Sequence, residues 1–349
     1  MKTTIGKSHA APMIVVALST RMFWGLSLDI SCAVNAAWMC PILGFLLYLP
    51  FAFAVSRADA LGNASPIDNL KPHVPRGLFA AISALFALLL MWDGAAAVRL
   101  AASSSNAIAL SDIPVPVLAL PLSIVAGTVV LLGAQAEGNS ARIWLKLVPL
   151  LLIIIFLVQF KSYNIGWLTP ILGDGPSGII DGCIYCAGAM ALLSLPWLIS
   201  VPDRNDRGVL RYVAFAALAT SVMLVSEQML CPVQLKSALT RSARMELVLS
   251  NGRLMLSPQL VVNVLWYGSL LHLISAQASV AAIYLKRIFP GASKWMLAVI
   301  VAIVLLILPG WDPVALRVYL RWIGMLFIII GLALAALLKA AIPGKEKKA

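Results

Sequence analysis

Four ionisable residues fall inside stretches that are otherwise apolar: Arg21, Asp93, Arg99 and Glu227. A charge at the centre of a bilayer costs about 2.5–3.5 kcal/mol on insertion scales, so it normally faces a partner or a wet cavity. Arg99 stands near the end of its apolar run, where a long side chain reaches the interface. Glu227 also stands near the end of a run and is expected to be solvated. Arg21 and Asp93 lie deeper and carry opposite charge. They are expected to face one another, which removes two isolated charges from lipid at once. Either member can also touch a zwitterionic ligand. Phe23-Trp24 and Met91-Trp92 flank the two charges, as packing residues or as walls that close a pocket.

Other chemistry is thinly supplied. The cysteines are Cys32, Cys40, Cys183, Cys186 and Cys231. Cys183 and Cys186 form a C-x-x-C without a second pair or a nearby His, so they read as small buried hydrophobes. His9, His73 and His272 are too scattered for a metal cluster. No nucleophile elbow and no phosphate-binding glycine loop occurs. The expectation is a protein that is not an enzyme and uses neither metal nor cofactor.

The elements that must position Arg21 and Asp93 are membrane spans. The chain has 349 residues, of which 61% are hydrophobic and 11% charged. A helix needs about 20 mostly apolar residues to cross the hydrocarbon core. Such runs are predicted at about 9–28, 32–55, 77–101, 113–133, 142–160, 179–201, 209–230, 258–285, 294–308 and 313–339. The expected fold is therefore all-α and integral to the membrane, a single polytopic domain over 1–349. The first run lacks a small-residue cleavage site and reads as a retained helix.

Net charge is +12. Its distribution follows the positive-inside rule. With the N-terminus inside, roughly 17 Lys and Arg fall in inner segments against roughly 6 in outer ones. Both termini are expected in the cytoplasm, including a basic tail at 340–349. No basic-aromatic pattern suggests nucleic acid. Residues 231–257 carry a mildly amphipathic stretch, QLKSALTRSARMELVLS, which reads as a short helix on the outer surface.

The first and sixth spans are unusual. The first holds Ser19-Thr20-Arg21-Met22-Phe23-Trp24-Gly25 in mid-course, and the sixth holds Gly182, Gly188 and Pro196. Two readings follow. Interrupted helices in matching places of two halves mark a transporter-type site at the repeat interface. Alternatively, glycine in a membrane helix merely lets neighbours approach closely. Under the first reading the chain is a 5+5 inverted repeat, with halves at 9–160 and 179–339. Hydropathy symmetry supports it, and residue identity does not.

The stretch from Tyr163 to Pro196, YNIGWLTPILGDGPSGIIDGCIYCAGAMALLSLP, resembles the spore germination permeases. These are the amino-acid-permease-like B subunits of germinant receptors. Leu168, Pro170, Ile171, Leu172, Gly173, Gly175 and Pro196 carry the likeness. Softer matches are Asn35-Ala36-Ala37-Trp38, the Gly133–Arg142 turn and Leu308-Pro309. The family belongs to the amino acid–polyamine–organocation superfamily.

The resemblance implies ten helices in a leucine-transporter-like 5+5 repeat, with the first and sixth discontinuous. It implies a ligand site at the unwinding points: Thr20, Arg21, Phe23, Trp24 and Gly25, with Ala187, Gly188, Ala189 and Met190, and Asp93 beside them. It also implies a small nutrient ligand, an A-type membrane subunit and a C-type lipoprotein as partners, and residence in the spore inner membrane.

Two departures stand out. Phe23-Trp24 crowd a place where the superfamily favours small residues. Ala189 and Met190 stand where the germination permeases often carry a glutamate, so Asp93 becomes the substitute counter-ion for a ligand amine. Germinant sensing is the first expectation, secondary transport of amino acids or amines the second, and a scaffold without a ligand site the third.

Overall fold

The computed structural model describes residues 7–28, 34–59, 71–72, 74–108, 112–159, 163–169, 171–172, 175–200, 206–230 and 258–308, with 322, 325–326, 328–333 and 336. These residues form nine long α-helices: α1 (Lys7–Leu28), α2 (Cys40–Asp59), α3 (Arg76–Ile108), α4 (Val115–Leu132), α5 (Ala134–Gln159), α6 (Pro176–Ser200), α7 (Asp206–Leu230), α8 (Pro258–Ile288) and α9 (Lys294–Ile307). Two 3-10 turns, Val34–Met39 and Ile165–Leu168, precede α2 and α6. The described residues between 322 and 336 are helical too. Most of the expected tenth span lies outside the described residues, as do the 231–257 segment, the basic tail and Asp29.

Apolar faces point outward, as befits a bundle whose solvent is lipid. Leu43, Leu46 and Leu47 of α2 are exposed, as are Val117, Leu120 and Ile124 of α4. On α5, Ile143, Leu147, Leu150, Ile153 and Leu157 recur at three- and four-residue steps and are exposed. Among the described residues, six helical stretches are long and apolar enough to cross a membrane.

The interior is built from α1, α6 and α8. Residues 10–18 of α1 and 273–284 of α8 are buried on every face. α1 packs against α5, α7, α8 and α6, and α8 lies against the length of α3. The pairing of α3 with α8 is antiparallel: Asp93 meets Gln277, and about three turns later the Ser105 hydroxyl donates to the Tyr267 hydroxyl at 2.9 Å.

Close approach is bought with glycine. A Cβ on Gly44 of α2 would lie 2.6 Å from the Cys186 Cβ of α6 and 2.9 Å from the Cys183 carbonyl oxygen. A Cβ on Gly182 of α6 would lie 2.5 Å from Cys40 Sγ. The α2–α6 seam therefore tolerates only small residues. Cys40, Cys183 and Cys186 are buried cysteines along it that form no disulfide.

The expected interruptions in the first and sixth spans do not occur within these helices. α1 runs unbroken from Lys7 to Leu28 and α6 from Pro176 to Ser200. Thr20 and Ser19, in the stretch expected to unwind, are satisfied without unwinding. Thr20 Oγ1 donates to the Val16 carbonyl one turn back at 2.7 Å, and Ser19 Oγ donates to the Ala216 carbonyl of α7 at 3.4 Å. On α6, Gly182 is spent on contact with Cys40, the second of the two readings of these glycines.

Candidate functional site

Arg21 is near the outgoing end of α1, Asp93 in the middle of α3, Tyr185 in α6 and Gln277 in α8. All four are buried, Arg21 at 5% exposure and Asp93 at 1%. Such burial is tolerable only because each charge is met. Arg21 Nη2 donates to Asp93 Oδ1 at 2.7 Å, and Nε donates to Oδ2 at 3.1 Å. This is a bidentate pair, the stronger geometry for a guanidinium and a carboxylate.

Tyr185 closes the pair from the side of α6. Its hydroxyl accepts from Arg21 Nη1 and donates to the Arg21 backbone carbonyl at 3.0 Å. The guanidinium carbon also lies 5.4 Å from the Tyr185 ring centroid, within cation–π range. Gln277 Nε2 donates to Asp93 Oδ2 from the side of α8. The other end of that amide, Oε1, is buried with no hydrogen-bond partner among the described residues. Gly94 leaves room for it: a Cβ there would lie 3.2 Å from Gln277 Oε1 and 3.0 Å from Leu305 Cδ2.

Four helices thus converge on one ion pair, and the centre holds a cation, an anion, a phenol and an unsatisfied amide oxygen. An orphaned acceptor in a dry interior costs about 1–3 kcal/mol unless something donates to it. The arrangement can exchange its internal pair for the two ends of a zwitterion at no net change of charge.

The other expected site residues are distributed as follows. Thr20 is buried, with its hydroxyl committed to Val16. Phe23 is buried in the apolar core. Trp24 and Gly25 are helical members of α1, and their surroundings lie outside the described residues. Ala187, Gly188, Ala189 and Met190 are buried on α6 just past Tyr185. The structure brings Arg21 and Asp93 together as expected.

Sequence reasoning missed Tyr185 and Gln277. Tyr185 stands three and four residues before Gly188 and Ala189, which places it on their helical face. Gln277 interrupts an apolar helix within Ser275-Ala276-Gln277-Ala278-Ser279. Both signals were present. Glu227 is corrected: it is buried at 1% exposure rather than solvated. The 163–169 segment folds back over the end of α7, with Asn164 N–H donating to the Met229 carbonyl at 2.9 Å. Burial there also pushes the Tyr163 phenol up, against the lowering effect of its bond to Ser226.

Among the described residues no group of three or more His, Cys, Asp or Glu side chains is placed to hold a metal ion. No family model matches the chain, and no curated protein sequence matches it. Solved structures do. One is Mhp1, a nucleobase-cation-symport-1 family transporter in a closed conformation with bromovinylhydantoin bound. The TM-score is 0.59 at 13% identity, over 92% of this chain and 75% of that one. Another is the Eremococcus coleocola manganese transporter in complex with an aromatic bis-isothiourea compound. Its TM-score is 0.54 at 16% identity, over 96% of this chain and 75% of that one. At these identities the likeness is one of fold. The fold is the leucine-transporter type found in membrane transporters, and the chain is an integral membrane protein.

Proposed function

We propose that this protein is a secondary transporter of small amino-acid-like or amine substrates. In this reading the described helices belong to a ten-helix, 5+5 inverted repeat, with both termini in the cytoplasm. Substrate binds where α1, α3, α6 and α8 converge. Its carboxylate takes the place of Asp93 on Arg21, and its ammonium takes the place of Arg21 on Asp93. Gln277 Oε1 accepts one ammonium proton, which relieves the orphaned acceptor.

The observation that carries this reading is the buried pair itself. It joins α1 to α3 and holds α6 and α8 through Tyr185 and Gln277. A ligand that opens the pair changes the contacts of four helices together, which is what alternating access requires.

A germinant-receptor role, with A-type and C-type partner subunits in the spore inner membrane, rests on the resemblance of the 163–196 segment. The solved neighbours are transporters and favour transport over sensing. Uptake of pooled radiolabelled amino acids into proteoliposomes separates the readings. Saturable uptake that Asp93→Asn and Arg21→Gln abolish is expected. Binding without flux makes the protein a sensor, and neither binding nor flux with any of the pool removes the substrate assignment.

A further inference from the structure

The α2–α6 seam carries three of the five cysteines, and two of them meet across it. Cys40 is the first residue of α2, and its sulfur reaches over the backbone of α6. Cys40 Sγ lies 3.8 Å from the Ile179 carbonyl oxygen. A Cβ on Gly182 would stand 2.5 Å from that sulfur and 3.2 Å from the Cys40 Cβ. The missing side chain of Gly182 is what lets the sulfur in. The next residue of α6 is Cys183, whose thiol is hydrogen-bonded to the Cys40 thiol. Cys186 lies a turn further on and faces Gly44 instead. The two helices therefore run in the same direction, with Cys40 level with Gly182 and Gly44 level with Cys186. The pair lies at the margin of the core. Cys40 is 0% exposed and Cys183 4%, yet Ile42 near the one and Ile180 near the other are exposed.

We propose that Cys40 and Cys183 are a modification site, at which a peroxide makes a disulfide that joins α2 to α6. A disulfide forms between cysteines whose backbones already lie close, with Cα atoms about 4.4–6.8 Å apart. Thiols in contact, across a seam with no room for a Cβ at Gly182 or Gly44, meet that demand. Cys183 is the less buried of the two and reacts first. Its sulfur attacks one peroxide oxygen, the O–O bond breaks, and a sulfenic acid and one water result. The Cys40 sulfur then attacks the Cys183 sulfur. The S–S bond forms, the S–O bond breaks, and the hydroxyl leaves with the Cys40 proton as a second water. The thiols together lose two electrons and two protons, and the peroxide gains them. The bridge ties α2 to the stretch of α6 that carries Tyr185. In the topology proposed above both cysteines stand toward the outer ends of their helices, the side on which disulfides persist. Formation of the bridge depends neither on that topology nor on transport.

The test needs no substrate. The purified full-length protein in nanodiscs is treated with hydrogen peroxide, denatured, alkylated and digested without reductant, and its peptides are identified by mass. A Cys40 peptide joined to a Cys183 peptide is expected, split by dithiothreitol, with the alkylated forms of both lost in equal amounts. Cys186→Ser should keep the bridge, and Cys183→Ser should leave Cys40 open to alkylation. Alkylation of both thiols after peroxide treatment overturns the site. So does a Cys183 sulfinic or sulfonic acid beside an intact Cys40, or a bridge from Cys40 to Cys32, Cys186 or Cys231. The wild-type map decides between these outcomes by itself, so a serine variant that fails to fold does not protect the proposal. Failure of amino-acid uptake bears on the proposed function alone.

Discussion

Arg21 and Asp93 meet through two parallel hydrogen bonds, at 2.7 and 3.1 Å, in a region where neither is reached by solvent. The two residues stand 72 positions apart, on helices that the sequence separates by the whole of α2. Each is present at depth because the other is.

That mutual dependence sets the first expectation. Asp93→Asn or Arg21→Gln alone leaves one buried charge unmet, at a cost of about 3–5 kcal/mol. The double change Arg21→Met with Asp93→Leu removes both charges and should cost less than either single one. Thermal unfolding in detergent reads the order, and a double variant less stable than both singles would contradict it.

Tyr185 holds the pair by one hydroxyl that both accepts and donates. Tyr185→Phe should lower stability by about 1–3 kcal/mol and weaken amino-acid binding by at least about tenfold. Tyr48→Phe is the control. Among the described residues its hydroxyl meets only Ser194 Oγ, at 2.7 Å on the α2–α6 side. It should cost about 1 kcal/mol and leave binding unchanged, as calorimetry would show.

Gly94→Ala should displace the Gln277 amide and Leu305, since the new methyl would stand 3.2 and 3.0 Å from them. Loss of about 1–3 kcal/mol is expected, with weaker binding. Gly77→Ala on the same helix meets nothing within 4 Å and should change stability by less than about 1 kcal/mol. Equal effects at both positions would argue against a packed amide at Gln277.

Gly44→Ala tests the α2–α6 seam. Its methyl would collide with the Cys183 carbonyl, a backbone atom that cannot step aside. Destabilisation of about 1–3 kcal/mol is expected. The matching change Gly291→Ala stands in open space and should be silent in the same melting assay.

Much of the fold was legible in the chain because bilayer thickness imposes a length on every apolar run. The fourth span was expected at about 113–133 and is Val115–Leu132; at the ninth, expected at about 294–308, stands the apolar helix Lys294–Ile307, shorter than a full crossing. The fifth was expected from about residue 142 and begins at Ala134. Its first turns carry Gln135, Glu137 and Asn139, which read as a loop in a sum of hydropathies. They are helical because Glu137 finds His272 on α8, a partner that hydropathy along the chain does not reveal.

The sequence by itself therefore determined the solvent, the place of most of the described helices and the two charges that required an explanation. Only the tertiary structure decided who answers them. Tyr185 lies 164 residues from Arg21, and Gln277 lies 184 from Asp93. It also decided that α1 and α6 stay whole: the Thr20 hydroxyl bonds one turn back to Val16, the Ser19 hydroxyl bonds to Ala216 of α7, and Gly182 is used for contact with Cys40. Span length is a property read along one segment, whereas partnership depends on which helices lie side by side, and that is fixed by packing among residues far apart in the chain.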